Sequence, residues 1–554
     1  MPTRARSFWA WGYDEKFPDD DARRSLAKRL GDAFGAVPEL KALPKADDLR
    51  LPAPRFSPPV ELKAIGTTDA RERAAHTYGR GYADLVRGFA GDFGSAPDWV
   101  FHPRTEEDIV GLFRFCESES VALVPYGGGT NVVGGVEHRA EGRFRGTACV
   151  DLGKMDAVLA IDATSRAARI QAGATGPRIS SQLAPQGLTL RHYPQSFELS
   201  TLGGWIATRA AGHYATHCTH IDDFVEAIRV VTPAGVLETR RLPSSGAGPQ
   251  PERMFLGSEG TLGIITEAWL RVQPRPRWRG SATVHFARFS DGALATRALA
   301  QSGLHPANCR LLDPQEAFLH RVSTRGTSVL LLAFESADHP VEPWMERALS
   351  IATDVGGSCD DEPKYSTDVL YSMRPTSSQP PPSVPPASEL PDIGHDTHES
   401  GSWKNAFFDA PYLQSALVSL GIVCDTFETA CTWERWNDLH EAVTAAVTKA
   451  MGGKGFLACR FTHVYPDGPA PYYTFIAPAD AGGELATWRR IKDAAMDAVL
   501  AHGGTTTHHH AVGRLHRPWW VQERPALWET ALTATKAQLD PHGILNPGCL
   551  LPSK

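Results

Sequence analysis

An α+β fold built from two packed substructures is predicted by three observations. Glycine-rich turns beside β-branched residues occur at 124–135 (VPYGGGTNVVGG) and again at 257–266 (GSEGTLGIIT). Between them, strand and helix patterns alternate without a regular parallel repeat, which argues against a doubly wound sheet. Beyond about residue 280, amphipathic helices alternate with a second set of strands, and 554 residues are too many for one core.

The elements follow in order. Residues 1–92 carry charged helical patterns broken by prolines, such as Asp20 to Phe34, and read as an N-terminal extension wrapped on the main body. From Asp98 the pattern becomes mixed. Trp99 to Phe101 is a strand. Thr105 then offers an N-cap to an acid-rich first turn of a helix over Asp108 to Glu119. A strand around Val121 to Val124 runs into the first glycine turn. Strands follow at Cys149 to Leu152, Val158 to Ile161 and Ala168 to Gln171, then a helix from Gly176 to Gln186. The run QSFELSTLGGWIATRAA (195–211) sets hydroxyls ahead of a small-residue helix that can lie close to a flat ligand or to a neighbouring backbone. Val225 to Thr232 and Val236 to Arg240 form a hairpin about Pro233-Ala234-Gly235. Residues 93–276 make this first domain. A second α+β domain spans 277–500, with a Pro/Ser-rich insert at 375–402 whose composition predicts a mobile loop. A C-terminal segment, 501–554, carries three consecutive histidines.

Composition narrows the classes. A net charge of −7 does not suit a nucleic-acid binder, which usually presents a basic face. No apolar run approaches membrane-spanning length. The N-terminus lacks an apolar signal region, and nine scattered cysteines without a C-x-x-C pair point to reduced thiols. A cytoplasmic protein is expected.

The glycine turns carry the chemistry. Three successive glycines, Gly127, Gly128 and Gly129, allow positive φ and can gather N–H groups into an anion-binding nest. A Walker loop is excluded because no Lys follows Gly134 or Gly135. A Rossmann fingerprint is excluded because Val132 stands where its last glycine belongs. Taken alone the loop is equally an ordinary hairpin turn. The second loop and the segment between them favour a long dinucleotide.

The ordered set VPYGGGTN, SFELSTLGGWIATRAAG, DFVEAIRVVTPAGVLE, GSEGTLGIITEA and HHHAVG resembles the FAD-binding fold of vanillyl-alcohol-oxidase-type (PCMH-type) flavoproteins. WAWGYDEKF near the N-terminus, TFETA at 426–430 and the triple histidine are similar to the alkyldihydroxyacetonephosphate synthases (alkylglycerone-phosphate synthases) in particular. The resemblance implies a two-subdomain FAD-binding domain with an α+β cap over the flavin. FAD would be non-covalent, since no histidine lies in the glycine nest. Its diphosphate would meet Pro125, Tyr126, Gly127, Gly128, Gly129, Thr130 and Asn131. Gln195, Ser196, Phe197, Glu198, Leu199, Ser200 and Thr201 would line more of the cofactor. So would Thr208, Arg209, Ala210 and Ala211, and Glu259, Gly260, Thr261, Leu262, Gly263, Ile264 and Ile265.

The implied reaction exchanges the acyl group of an acyl ketone phosphate for a fatty alcohol through an adduct at flavin N5, with no net redox change. Catalytic residues implied by motif position are Tyr472 as acid/base, His508, His509, His510 and Arg310. A tyrosine base requires a lowered pKa, which nearby histidines or the flavin could provide. No metal is expected, because in an extended strand His509 would face away from its two neighbours. Gln414 stands where the family carries a substrate-binding arginine, so Lys404 or another base must substitute, or the substrate differs. The alternative is an FAD-linked oxidase or dehydrogenase of a hydroxy acid or alcohol. Expected partners are a lipid-type small molecule, a second copy in a homodimer and a membrane surface, with no nucleic acid.

Overall fold

The computed structural model describes residues 4–139, 142–367, 402–479 and 483–552, with the backbone alone for 402–409. The insert at 375–402 lies outside the described residues except for Ser402.

Three sheets organise the chain. A four-stranded sheet is ordered Gly66–Thr67, Trp99–Phe101, Gly146–Asp151, Val121–Tyr126, and its last three strands run parallel. Parallel pairing needs a crossover, and the helix Glu106–Glu119 supplies it before Val121–Tyr126. Its start is set locally: Thr105 accepts from the Asp108 N–H while Asp108 accepts from the Thr105 N–H, a closed capping box. An antiparallel five-stranded sheet runs Val158–Asp162, Ala167–Gln171, Ile264–Arg271, Val225–Thr232, Gly235–Glu238. One apolar core holds both sheets together, centred on Phe101, Leu123, Ile170, Trp205 and Ile264.

The third sheet has seven strands, in the order Lys364–Thr367, Trp278–Phe286, Ser328–Ser336, Asn308–Leu312, Phe456–Val464, Pro469–Pro478, Ile422–Glu428. Each pairing is antiparallel. Helices Phe289–Gln301, Glu342–Thr353, Trp436–Ala450 and Glu484–Ala501 contribute to the core on one face of it. The opposite face looks toward the glycine turns, so one sheet separates a packed core from a reaction surface.

The N-terminal extension stitches the two bodies together. The helix Asp20–Phe34, capped by the Asp19 carboxylate and ended by Gly35 at positive φ, buries Ala27 and Leu30 against Leu417, Leu420 and Ile422 of the second domain. Upstream of it, the Trp11 N–H donates to Ser415 Oγ (3.1 Å), and Arg6 donates to the Gly128 carbonyl (2.6 Å). Among the described residues no helix is long and apolar enough to cross a membrane.

Candidate active site

A single cavity of about 1090 Å³ lies between the glycine turns and the open face of the seven-stranded sheet. Its volume exceeds the ~300–1,000 Å³ of a pocket for one drug-sized ligand, so it can take a dinucleotide and a second molecule.

Pro125, Tyr126, Gly127, Gly128, Gly129, Thr130 and Asn131 all line the cavity. Only Gly129 of the three glycines has positive φ (+67°). The other two are required by clearance instead. A Cβ on Gly128 would stand 2.1 Å from the Leu199 carbonyl oxygen, and one on Gly127 2.3 Å from Thr201 Oγ1. Among the described residues, the N–H groups of Gly127, Gly128, Gly129 and Thr130 donate to no protein acceptor. Donors left over in the wall of a cavity need an anionic or water partner, which a diphosphate supplies.

The run 195–201 divides. Gln195, Ser196, Ser200 and Thr201 face the cavity. Phe197 and Leu199 are buried in apolar clusters, and Glu198 pairs with Lys16 near the surface. The helix Leu202–Thr208 begins at Thr201, its N-cap. Gly203 meets Ala172, just past the strand Ala167–Gln171, and both Gly203 and Gly204 lie on the cavity wall. Both uses of a small-residue helix are therefore present. Thr208, Ala210 and Ala211 line the cavity, whereas Arg209 turns away to Asp222 (2.8 Å). In the second glycine turn, Glu259, Gly260, Gly263, Ile264 and Ile265 reach the cavity, but Thr261 and Leu262 do not. The Glu259 carboxylate is held by the C-terminal segment, accepting from the N–H groups of Val512 (3.0 Å) and Gly513 (2.9 Å).

On the cap side, strand alternation sorts the residues. Tyr472, Thr474 and Ile476 face the cavity, while Tyr473 and Phe475 are fully buried under the helices. The register places Glu428, Tyr472 and Arg460 side by side on three adjacent strands. The Arg460 guanidinium carbon lies 4.0 Å from the centre of the Tyr472 ring and pairs with buried Glu316. Tyr472 donates to Thr426 Oγ1 (2.9 Å). Its pKa does not fall as expected. Burial pushes it up to about 12, against the opposing pull of Arg460. Tyr472 thus keeps its proton in the resting protein. Arg310, also on the wall, is lowered to about 9 by burial and by the like charge of Arg460.

The histidine triplet is not an extended strand. Residues 508–510 bend around Glu428, whose carboxylate accepts from the N–H groups of His508 (2.5 Å), His509 (3.2 Å) and His510 (2.9 Å) and from Thr507 Oγ1 (2.6 Å). The strand-alternation argument against convergent histidine side chains therefore falls. Burial works against the charge of Glu428, but His509, His510 and the donated hydrogen bonds hold it well below the usual carboxylate range. Burial also lowers His509 and His510, each to about 4, so both rings are neutral near pH 7. Hydrogen bonds to a charged group contribute roughly 1.5–3 kcal/mol each. Glu428→Gln is thus expected to lower the thermal unfolding midpoint while FAD is retained; an unchanged midpoint would mean something else holds the turn.

Gln414 lines the cavity, but its amide is engaged: Nε2 donates to the Cys424 carbonyl (2.9 Å) and meets Asp425 Oδ1 (3.4 Å). Asp425 is neutralised by Lys492 (3.1 Å), and the side chain of Lys404 lies outside the described residues. Sequence reasoning missed Arg460, His463, Asp425, Trp11 and Arg80, which border the cavity, and Glu428, which is buried beside it. The registers of the two strands that flank Pro469–Pro478, with Tyr472 as reference, would have found Glu428 and Arg460.

The chain matches two family models, FAD binding domain over residues 97–240 and FAD linked oxidases, C-terminal domain over 275–358 and 394–550. It is 31% identical over 507 residues to an alkyldihydroxyacetonephosphate synthase of Dictyostelium discoideum, covering 89% of this chain and 80% of that protein. A D-lactate dehydrogenase [cytochrome] of Arabidopsis thaliana is 32% identical over a shorter stretch, 463 residues, covering 82% of this chain and 74% of that protein. In fold, a solved alkyldihydroxyacetonephosphate synthase superposes with a TM-score of 0.79 over 98% of both chains at 24% identity. FAD is the cofactor of this cavity, and the glycine wall with its free N–H groups fits its diphosphate. The chain belongs to the alkyldihydroxyacetonephosphate synthase family of FAD-binding enzymes.

Proposed function

We propose that this enzyme exchanges the acyl group of an acyl ketone phosphate for a fatty alcohol. The acyl group leaves as a carboxylate, the alcohol oxygen becomes the ether oxygen, and no electrons are gained or lost. One observation carries this reading. The cavity joins three chemistries: the glycine wall, a polar wall of Tyr472, Arg310 and Arg460, and an apolar arm of Leu26, Leu30, Phe34, Leu413, Leu417, Phe456 and Ile476. An alkyl chain fits the arm and an anionic headgroup fits the guanidinium groups. FAD, when bound, would supply an electron-poor ring to the reaction. Tyr472 holds a proton at its hydroxyl, ready for an oxygen that gains charge.

The test is incorporation of labelled fatty alcohol into an ether-linked ketone phosphate by the purified holoenzyme. Lasting bleaching of the flavin by a hydroxy acid, with no ether product, would overturn the reading. We further infer non-covalent FAD, which denaturation should release free; flavin that stays with the precipitated polypeptide contradicts this.

Arg310 and Arg460 lie together on the cavity wall near buried Glu316, and their mutual repulsion favours an anion such as the phosphate there. Arg310→Gln is accordingly expected to weaken dihydroxyacetone phosphate binding about 10- to 100-fold, the loss of one or more charge-assisted hydrogen bonds. Gln414→Arg should change it little, because the new guanidinium meets Asp425. Titration followed by flavin absorbance reads both, and the reverse pattern would move the phosphate to Gln414.

A homodimer and peripheral membrane contact also belong to this proposal. Phe318, 64% exposed at the mouth of the apolar arm beside Arg321, supports the second. Co-sedimentation with anionic vesicles, lost in Phe318→Ser, is the check. Light scattering of the purified protein tests the dimer. The cytoplasmic location remains part of the same proposal.

A further inference from the structure

We propose that His463, His508 and His509 form a binding site for one divalent transition-metal ion of the zinc type, with its fourth coordination position open to the cofactor cavity. A ring nitrogen of each lies within 4.8 Å of the other two. The Nδ1 atoms of His508 and His509 are 3.0 Å apart, close to the edge of about 3.3 Å that tetrahedral Zn–N bonds of roughly 2.0–2.1 Å produce. Adjacent residues converge in this way only because 508–510 bend around Glu428.

The surroundings are those of a ligand set. His463 is positioned to donate its Nε2–H to the Gly212 carbonyl (2.7 Å), which leaves Nδ1 with its lone pair. The Thr462 hydroxyl beside that Nδ1 is directed to the Ala470 carbonyl (3.2 Å). His508 Nε2 meets the Tyr465 hydroxyl (2.7 Å) and His220 Nε2 (3.2 Å), which leaves its Nδ1 for the ion. Glu428, 3.7 Å from His509 Nδ1, supplies outer-shell negative charge. His463 and His509 border the cavity, so the open position faces the ligand. Arg310 and Arg460 on the same wall oppose a bare dication, and an anionic or carbonyl oxygen at the fourth position would offset them. Three imidazoles with one open position suit Zn²⁺ better than the oxygen-preferring Mg²⁺ or Ca²⁺. The site is independent of the acyl-exchange reading, because metal content is read without turnover.

The experiment uses tag-free holoenzyme equilibrated with Zn²⁺ and dialysed, with elemental analysis for stoichiometry and calorimetry for affinity. One zinc per chain is expected. His463→Gln, His508→Asn and His509→Asn should each weaken binding by about 10²-fold or more, while their flavin absorbance reports that they remain folded. His502→Asn, outside the cluster, should bind as the parent does. Anomalous scattering from zinc-soaked crystals of the parent, with a peak among the three rings, supports the site without any variant. No stoichiometric zinc in the parent, or binding that survives all three substitutions, overturns it; the Nδ1–Nδ1 contact is then an ordinary N–H···N hydrogen bond.

Discussion

Gly128→Val should purify as a folded protein without flavin. The residue needs no positive φ, so backbone strain is not the reason. Its Cβ would lie 2.1 Å from the Leu199 oxygen and 2.6 Å from the Ser200 Cα, where ordinary contact is 3.4–4 Å. Both obstacles are backbone, which cannot rotate aside as a side chain can. The glycine turn must therefore move away from the segment 199–201 and take the four free N–H groups with it. Overpacking of this kind costs about 1–3 kcal/mol, too little to unfold a large domain but enough to misplace the donors. Gly129→Ala should behave similarly for a different reason: φ there is +67°, and the added methyl would meet the Tyr126 hydroxyl at 1.8 Å. Flavin content by absorbance after gel filtration checks both. Stoichiometric flavin in Gly128→Val would remove the diphosphate from this turn.

What the sequence disclosed follows from the range of the forces involved. Local signals were legible. The helix Asp20–Phe34 spans the residues its charged pattern suggested, and the Thr105 cap closes as its spacing implied. The two glycine turns face one cavity, as motif reading expected. Pairings between residues far apart in the chain were not legible. Nothing local in Glu428 marks it as the acceptor for three N–H groups near residue 509, because that contact depends on how the C-terminal segment returns. The histidine triplet was read as a strand from its neighbours alone, whereas a buried carboxylate decides its shape. Similarly, the pKa of Tyr472 depends on how thoroughly the cap buries it, and sequence does not report burial depth. The N-terminal segment looked like a wrapping extension, yet Arg6 and Trp11 reach the glycine turn and the cavity wall.

Tyr472→Phe is expected to lower turnover by about 10²–10⁴-fold, the range for loss of a positioned proton donor or acceptor. The substitution is conservative by the geometry. The ring remains over the Arg460 guanidinium and stays stacked on His509, 6.0 Å away between centroids at 18°. Only the hydroxyl and its bond to Thr426 Oγ1 are lost. Flavin content and ligand affinity should therefore hold while kcat falls, which separates proton chemistry from packing. Thr426→Val supplies the counterpart. It removes the hydroxyl's partner but leaves the hydroxyl, so it should cost far less if the proton itself matters. Equal losses in the two variants would mean that the hydrogen bond merely orders the wall. Parent-like turnover in Tyr472→Phe would transfer the proton role to the neutral imidazole of His510, whose ring centre lies 5.5 Å from that of Tyr472.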